Sequence, residues 1–572
     1  MTDDSLTPTK RFWRLIKPDS KEIRNIHAYA IFNGLISLSL PLGIQSIINL
    51  IQGGQISTSW IVLVVLVVCG IGISGVLQIY QLRISENIQQ KIFTRAAFEF
   101  TYRIPRIKME ALYKHYAPEL MNRFFDIVSI QKGLSKILID LSTTTFAILF
   151  SMILLSFYHP FFIIFSFLLV TVIAIIVRFV AQRGMNTSLK ESIFKYKVAH
   201  WLEELSRTYS TFKLAGLSDL PLKQTDQYVG KYLTAREDHF KALVQQYYLM
   251  VGFKILVAAG LLGIGGMLVI NQQMNIGQFV AAEIIILVVL HNIEKLITNI
   301  ESIYDILTSL EKVGYVTDME LERQTGVELV DYKKGIELEF TNVSFNYPNA
   351  KRKILNDVSF VINSGERCVI TGANGSGKSS MLKIMAGLYD MQEGVISYNG
   401  MVIGNLSLDS LRAAIGDQIS MERLFEASVL DNITLGKEST SFENVQWAVE
   451  NLGLTEFIKS LPEGYNTVLN AQGTKLPENI VVKLLLARSI ANKPKLLLLE
   501  NTFEQLDDKE CHRIIDFLTA PENQWTLIAV SSNEYLSKCS TKIIELAEGK
   551  VAKIESRDET LNNNNSNNNL HA

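Results

Sequence analysis

Six long apolar stretches dominate the first half of the chain. They lie at 26–51, 60–82, 137–158, 161–180, 247–270 and 278–306. At a rise of about 1.5 Å per residue, each is long enough to cross a hydrocarbon layer about 30 Å thick as a helix. The composition agrees, because 48% of the 572 residues are apolar. We therefore predict an all-α membrane domain with six transmembrane helices in a lipid bilayer.

The connections between these stretches indicate the orientation. The short connections "QGGQISTS", "YHP" and "NQQMN" contain no Lys or Arg, whereas the N-terminus and the long segments 83–136 and 181–246 contain many. Basic residues stay on the cytosolic side of a membrane. The long segments also interleave charged with apolar residues, which favours helices that extend beyond the bilayer. We expect a multi-pass protein of the cytoplasmic (inner) membrane.

The second half reads as a soluble α/β domain. From about residue 336, strand-like runs such as "IELEFTNVSFNY" alternate with helical ones. The predicted organisation is a cytosolic N-terminal segment at 1–25, a transmembrane domain at 26–315, a linker at 316–334, the α/β domain at 335–556, and an Asn-rich tail at 557–572 that we expect to be disordered.

Charge and cysteine content exclude several functions. The formal net charge is −2, with basic and acidic residues nearly balanced, so no basic surface favours nucleic acid. The four cysteines form no CxxC pair, so neither a metal cluster nor a disulfide framework is indicated.

Ionisable residues occur within or near the apolar stretches: Lys254, Glu283, His291, Glu294 and Lys295. A charge inside a membrane is a candidate for function. The alternative is that these groups lie near the membrane boundary or line a wet cavity, with the Lys254 side chain reaching toward the interface. Glu283 and His291 are the best candidates for lining a path.

The segment from Gly372 to Ser379, "GANGSGKS", fits the phosphate-binding pattern GxxxxGK[ST]. It follows the strand-like "RCVIT" and precedes the helical "SSMLKIMAGLYD", which is the context the pattern requires. Its backbone N–H groups would wrap the phosphates, Lys378 would balance their charge, and Ser379 would hold Mg²⁺. ATP or GTP binding with Mg²⁺ is therefore predicted.

With these motifs the chain resembles an ABC exporter half-transporter. The resemblance rests on six spans with long cytosolic helices followed in order by "VSFNYP", the phosphate loop, "MQEGVISYNG", "LSLDSLRAAIG", "NKPKLLLLEN" and "EQLD". It implies that ATP is the nucleotide and that Tyr347 stacks on adenine, although a tyrosine there could equally be a strand aromatic. "LEELSRTYSTFKLAGLSD" is similar to the family's second cytosolic connection, which docks on a nucleotide-binding domain. "LPLGIQSIINLIQGGQ" resembles the branch that exports peptides and proteins with a periplasmic adaptor.

The resemblance assigns a set of binding residues. The expected nucleotide-binding residues are Tyr347, Gly372, Ala373, Asn374, Gly375, Ser376, Gly377, Lys378, Ser379 and Ser380. The expected Mg²⁺ ligands are Ser379 and Glu500, the latter acting through water because its side chain is one methylene longer than the family's Asp.

No catalytic residue is expected, because the chain departs from the family where hydrolysis takes place. Asn501 stands where the family has the glutamate that polarises the attacking water, and an amide cannot take up a proton. The switch histidine falls on Ser532. The glutamine that senses the γ-phosphate falls on Ser420, although Gln418 is nearby and the alignment could be shifted by two.

The family's signature motif is also altered. It falls on Leu476-Pro477-Glu478-Asn479-Ile480. Pro477 has no N–H to offer a phosphate, and Glu478 would bring a negative charge toward it. Pro and an acid also make an ordinary helix start, so the helix of "PENIVVKLLLARSI" is predicted to remain while the phosphate contact is lost.

These features lead to competing hypotheses. In the first, the chain is the ATP-binding subunit of an exporter for peptides, proteins or other amphipathic molecules, with impaired or partner-dependent hydrolysis. It would act as a homodimer or with another half-transporter, and would use a periplasmic adaptor if it belongs to the peptide and protein branch. In the second, it is a pseudo-ATPase that senses nucleotide or scaffolds another transporter. In the third, it is an active ATPase that uses unorthodox groups.

Overall fold

The computed structural model describes residues 7–52, 58–113, 115, 117–329, 334–350, 352–419 and 423–557. The described chain divides into two compact units. The first contains residues 1–106 and 115–319, and the second contains 107–114 and everything from 320 onward. The second unit thus begins after the predicted domain boundary at 315, and it takes in eight residues from the first cytosolic connection. Most of the Asn-rich tail, 558–572, lies outside the described residues.

The first unit is helical, as predicted from the apolar stretches. Its helices, with α5 of the second unit included in the numbering, are α1 Pro8–Ile16, α2 Ser20–Ser37, α3 Ser39–Gln52, α4 Thr58–Arg103, α5 Met109–Leu112, α6 Ala117–Asn122, α7 Asp126–Lys136, α8 Ser142–Ser156, α9 Phe161–Arg207, α10 Tyr209–Leu214, α11 Leu220–Gly260, α12 Gly266–Ile270 and α13 Ile276–Thr317. Two π-helical turns, Ile137–Leu141 and Leu261–Gly265, interrupt otherwise continuous helices.

Pro41 accounts for the break in the first apolar stretch. It lies in the first turn of α3, and a proline ring clashes with the carbonyl four residues earlier while removing one helical hydrogen bond. The chain accordingly changes from α2 to α3 at Leu38, whose N–H donates to the carbonyl of Leu35 at 3.2 Å.

Within the described residues, five helical segments are long and apolar enough to span a membrane. They are Pro8–Gln52, Thr58–Arg106, Leu120–Ser156, Leu220–Ile270 and Ile276–Thr317. The fourth predicted stretch begins α9, where a shorter apolar helix, Phe161–Ile175, is found. The count of six spans therefore stays a prediction. The helices α4, α9, α11 and α13 each exceed 40 residues, which is about twice the length that a bilayer requires.

Ion pairs tie the predicted spans to one another. The ammonium of Lys254 on α11 pairs with Glu294 on α13. Lys295 pairs with Asp140 of the third stretch at 2.7 Å. Lys254 is thus neutralised by a neighbouring helix instead of reaching toward the interface alone. Glu283 is partly exposed and His291 is exposed in this unit.

The second unit has the predicted α/β architecture. Its strands are β1 Leu338–Phe345, β2 Leu355–Ile362, β3 Arg367–Gly372, β4 Glu393–Tyr398, β5 Met401–Val402, β6 Ile415–Gln418, β7 Leu496–Glu500, β8 Thr526–Val530, β9 Lys542–Ala547 and β10 Lys550–Ser556. Its helices after α5 are α14 Lys378–Met385, α15 Leu408–Ala414, α16 Val429–Thr434, α17 Phe442–Asn451, α18 Thr455–Ser460, α19 Glu478–Ala491, α20 Asp508–Thr519 and α21 Glu534–Cys539.

Two sheets organise the described residues of this unit. A four-stranded antiparallel sheet has the order β2-β1-β4-β5, and a six-stranded sheet has the order β10-β9-β3-β8-β7-β6. In the larger sheet β9, β3, β8, β7 and β6 run parallel. All five residues of β7 are buried, as expected for a strand covered on both faces. The carboxyl ends of the parallel strands meet at one edge, and the loops that carry the candidate site leave the sheet there.

Candidate nucleotide-binding site

The phosphate loop connects β3 to α14. Gly372 ends the strand with φ +138°, and Gly377 caps the helix with φ +104°. A β-carbon on Gly377 would lie 2.7 Å from Leu355 Cδ2 and 3.0 Å from the carbonyl oxygen of Ile354. Glycine is required there by both backbone conformation and space. The strand–loop–helix context predicted from the sequence is confirmed.

The loop presents donors that fit a phosphate chain. Residues 372–375 are exposed, while Ser376 and Gly377 are buried beneath them. The Lys378 ammonium donates to the carbonyls of Gly372 and Ala373, both at 2.8 Å, and so lies across the loop. The buried hydroxyl of Ser376 has no hydrogen-bond partner within the described residues. A buried hydroxyl usually finds a partner, and a phosphate oxygen would supply one.

Tyr347 lies next to this loop. It follows β1, and its hydroxyl is 3.0 Å from the Ser380 hydroxyl in the first turn of α14. The neighbouring Tyr389 contacts it edge to face, with ring centroids 5.2 Å apart. Burial raises the pKa of Tyr389 to about 12, so this aromatic wall is uncharged at neutral pH. The structure thus joins Tyr347 to the phosphate loop.

Glu500 ends β7 at the same edge of the sheet. One strand, β8, separates β7 from β3. The strand registers set Glu500 level with Ile370, two residues before the phosphate loop, and so about 10 Å from Ile370 across the sheet. The Glu500 side chain is buried, with 6% of the residue exposed. This position suits an acid that holds a metal through water rather than by direct contact.

Asn501 turns the chain away from the strand. Its φ is +49°, in the left-handed region that asparagine tolerates better than most residues. Its N–H donates to the carbonyl of Val530 at 3.0 Å, and it is exposed. An amide at this place therefore has a local structural explanation, although it supplies no base.

A cleft of ≈ 440 Å³ opens beside Glu500 and Asn501. Gln418, Glu478 and Gln505 also line it. Of the described residues that line this cleft, the carboxylates are Glu478 and Glu500, and none is a histidine. Glu478 accepts a hydrogen bond from the Gln505 amide at 3.0 Å. The acid in the altered signature motif is thus held by its own domain.

The signature helix forms as predicted. α19 begins at Glu478, and Pro477 is its N-cap residue with φ −57° and ψ 142°. The Pro477 position has no N–H, and no side chain caps the helix there. The acid in the first turn is favourable to the helix dipole.

The structure also locates the remaining positions at which the sequence departs from the family. Ser532 is exposed just after β8, while Ser420 lies outside the described residues. Gln418 ends β6 opposite Leu499 and is buried, and its amide donates weakly to the carbonyl of Val482 at 3.4 Å. The Gln418 Oε1 atom has no partner within the described residues.

Sequence reasoning missed how the first cytosolic connection packs. Its short helix α5 belongs to the second unit, and Met109 packs against the core of that unit. Tyr113 stacks on Tyr347 with ring centroids 5.3 Å apart. The connection that the sequence singled out is the second one, which contains α10 and is followed by the strongly exposed Leu217 and Leu222. The largely apolar run "MEALY" within the first cytosolic connection was the sequence signal that could have predicted this packing.

Comparison with known proteins gives consistent matches. Residues 25–292 match the family described as the ABC transporter transmembrane region, and residues 355–504 match the family described as ABC transporter. The chain is 23% identical over 566 residues to the putative multidrug export ATP-binding/permease protein YgaD of Bacillus subtilis (strain 168), covering 96% of this chain and 97% of that protein.

Two further comparisons extend this picture. The chain is 26% identical over 354 residues to the alpha-hemolysin translocation ATP-binding protein HlyB of Escherichia coli O157:H7, covering 62% of this chain and only half of that relative. A solved structure of a bacterial Atm1-family ABC exporter with ATP bound superposes with a TM-score of 0.84 at 19% identity, covering 97% of this chain and 98% of that one.

Proposed function

The chain belongs to the ABC transporter family as an exporter half-transporter, and from this premise we propose that it binds ATP with Mg²⁺ but hydrolyses it slowly or only with a partner. It is a multi-pass membrane protein with a cytosolic nucleotide-binding domain. The chemistry of the site supports slow or partner-dependent hydrolysis.

The proposed ATP contacts are those of the phosphate loop and Tyr347. The loop N–H groups and Lys378 would hold the phosphates, the Ser376 hydroxyl would gain its missing partner, and Tyr347 would stack on the base. Ser379 and Glu500 would hold Mg²⁺, which neutralises phosphate charge when bound.

One observation carries the proposal of weak hydrolysis. Asn501 follows the Mg²⁺ acid where a general base is needed, and the described residues that line the adjacent cleft include no histidine. Of the two carboxylates there, Glu500 is assigned to the metal and Glu478 is bound by Gln505. A positioned base is worth about 10²–10⁴ in rate, so its loss leaves binding intact while slowing the chemistry.

A second half-transporter is the proposed partner. Around the second cytosolic connection, large apolar side chains are exposed in this unit: Leu214, Leu217, Leu220 and Leu222. Exposed apolar side chains grouped in one segment favour a protein contact. In a homodimer both sites would lack the base. With a competent partner, the partner's phosphate loop would face Pro477 and Glu478.

The proposed substrate is a peptide, a protein or another amphipathic molecule. Similar proteins are named for alpha-hemolysin translocation and as lipid A-core flippases, and these names support this range of substrates. A periplasmic adaptor remains part of the proposal only for the peptide and protein branch.

Binding and dimer closure test this function together. The purified chain is titrated with ATP and Mg²⁺, and cross-linking between copies is followed in the same samples. We expect saturable binding that Lys378→Ala abolishes, and ATP-dependent cross-linking between nucleotide-binding domains. A chain without ATP affinity refutes the proposal. ATP binding without any change in cross-linking favours the nucleotide-sensing scaffold instead.

A further inference from the structure

Several contacts anchor the start of the first cytosolic connection to the nucleotide-binding unit, among them an ion pair between Lys108 and Glu320. Ile107 pairs with Leu321 as an isolated antiparallel bridge, and the Lys108 N–H donates to the Glu320 carbonyl at 3.0 Å. The Glu110 carboxylate accepts from the Asp390 N–H at 2.9 Å. Met109 also packs on the hydrophobic core. The segment is therefore held by its first four residues, independently of the tyrosine that follows.

That tyrosine, Tyr113, lies flat against Tyr347. The two rings are within 10° of parallel with centroids 5.3 Å apart, which is a stacked geometry. Tyr113 remains 49% exposed. Its ring thus covers Tyr347 on one side and faces solvent on another.

The other aromatic neighbours of Tyr347 are fixed. Phe345 and Tyr389 contact its ring edge to face with centroids 5.0 and 5.2 Å away. Phe345 is 1% exposed and Tyr389 is 7% exposed, and both belong to the hydrophobic core. The Tyr347 hydroxyl is held by Ser380. A flat ligand that stacks on the face of Tyr347 covered by Tyr113 must displace that ring, and Tyr113 is the exposed member of these three neighbours.

We propose that Tyr113 occupies the place of the nucleotide base on Tyr347, so that a bound purine displaces it. This inference rests on the proposed ATP site. Tyr113 belongs to the connection between the long helix α4 and the short helix α6, so its release reports occupancy of the base pocket to that connection.

The proposal fixes the sign of a mutational effect. A ring that competes with the base weakens ATP binding, because only the fraction of molecules with Tyr113 released can accept the base. A ring that instead closed over the base as a second stacking surface would strengthen binding. Removing the ring therefore tightens ATP binding in the first case and weakens it in the second.

The test measures two ligands on the purified full chain. ATP carries a base, whereas inorganic tripolyphosphate has only the phosphate chain. Dissociation constants for both are measured with Tyr113→Ala and with Tyr113→Phe, which keeps the stacking ring. Tyr102→Ala serves as the matched control, because Tyr102 is 48% exposed on α4 outside the pocket.

We expect Tyr113→Ala to bind ATP about two- to tenfold more tightly, the range that corresponds to one stacked aromatic pair. Its affinity for tripolyphosphate should equal that of the unaltered chain, and Tyr113→Phe and Tyr102→Ala should leave both affinities unchanged.

Unchanged or weaker ATP binding by Tyr113→Ala overturns the inference while leaving the ATP site standing. An equal shift for tripolyphosphate overturns it as well, since the effect would then not involve the base. Absence of ATP binding in every variant refutes the proposed function and this inference with it.

Discussion

Replacing Gly377 by alanine tests whether the phosphate loop works as a rigid cradle. A residue with a β-carbon at φ +104° is strained by about 1–3 kcal/mol. The new methyl carbon would also lie 2.7 Å from Leu355 Cδ2 and 3.0 Å from the Ile354 carbonyl oxygen. The leucine methyl can rotate away, but the carbonyl belongs to the backbone. The loop must therefore leave the conformation that binds phosphate.

The strain sets the size of the effect. If the loop can regain its binding conformation only at a strain energy of about 1–3 kcal/mol, the ATP dissociation constant rises about 5- to 150-fold. Isothermal titration with the purified chain measures it directly. Gly365→Ala is the matched control, because Gly365 has φ +80° with open space around its β-carbon position and lies outside the loop. It should lower stability by about 1–3 kcal/mol, because a β-carbon at φ +80° is strained as well, and leave ATP affinity unchanged. If Gly377→Ala binds ATP with the affinity of the unaltered chain, the phosphate loop is not the rigid cradle that this account requires.

Three further predictions follow from other contacts. Arg367→Met should lower the midpoint of thermal unfolding of the nucleotide-binding unit by roughly 6 °C or more, the equivalent of about 3 kcal/mol; a shift under 2 °C would contradict this. Its guanidinium donates to the carbonyls of Gly365, Thr519, Ala520, Asn523 and Trp525. Asn501→Asp should raise the rate of phosphate release at least tenfold, and up to the 10²–10⁴ that a base supplies, whereas Asn501→Ala should not raise it. Equal rates of phosphate release in the two variants would show that a missing base does not limit hydrolysis. Glu294→Gln leaves the Lys254 ammonium unpaired and should destabilise the membrane unit by up to about 3 kcal/mol, which Glu294→Leu combined with Lys254→Leu should recover. Thermal unfolding in detergent measures the stability of the single and the double variant. If the double variant does not recover stability, the Lys254–Glu294 ion pair is not the cause of the loss.

Local sequence patterns predicted the parts of the site that are local in the structure. The phosphate loop is one strand, one loop and one helix in succession, so its glycines and Lys378 could be located from spacing alone. The family motif matched by "NKPKLLLLEN" likewise located Glu500, and the apolar run before it forms the buried strand β7. The Pro477 helix start follows from the same kind of reasoning, because capping depends on a few adjacent residues.

Contacts between segments that are distant in the sequence could not be predicted from local sequence patterns. Tyr113 and Tyr347 meet only because residues 107–114 pack onto the second unit, and nothing in either segment encodes that pairing alone. The Lys254 and Glu294 pair depends on the rotation of α11 and α13 about their axes, so the sequence showed two charges in apolar stretches without showing that they neutralise each other.

Phosphate release from bound ATP, measured on the purified chain with Mg²⁺, tests the central claim most directly. Lys378→Ala supplies the background rate. We predict that the chain retains ATP and releases phosphate no more than slightly above that background. Steady release by the lone chain at about 1 s⁻¹ or more, within the ordinary range of enzyme turnover, would contradict the account, because some group other than Asn501 would then be activating the water.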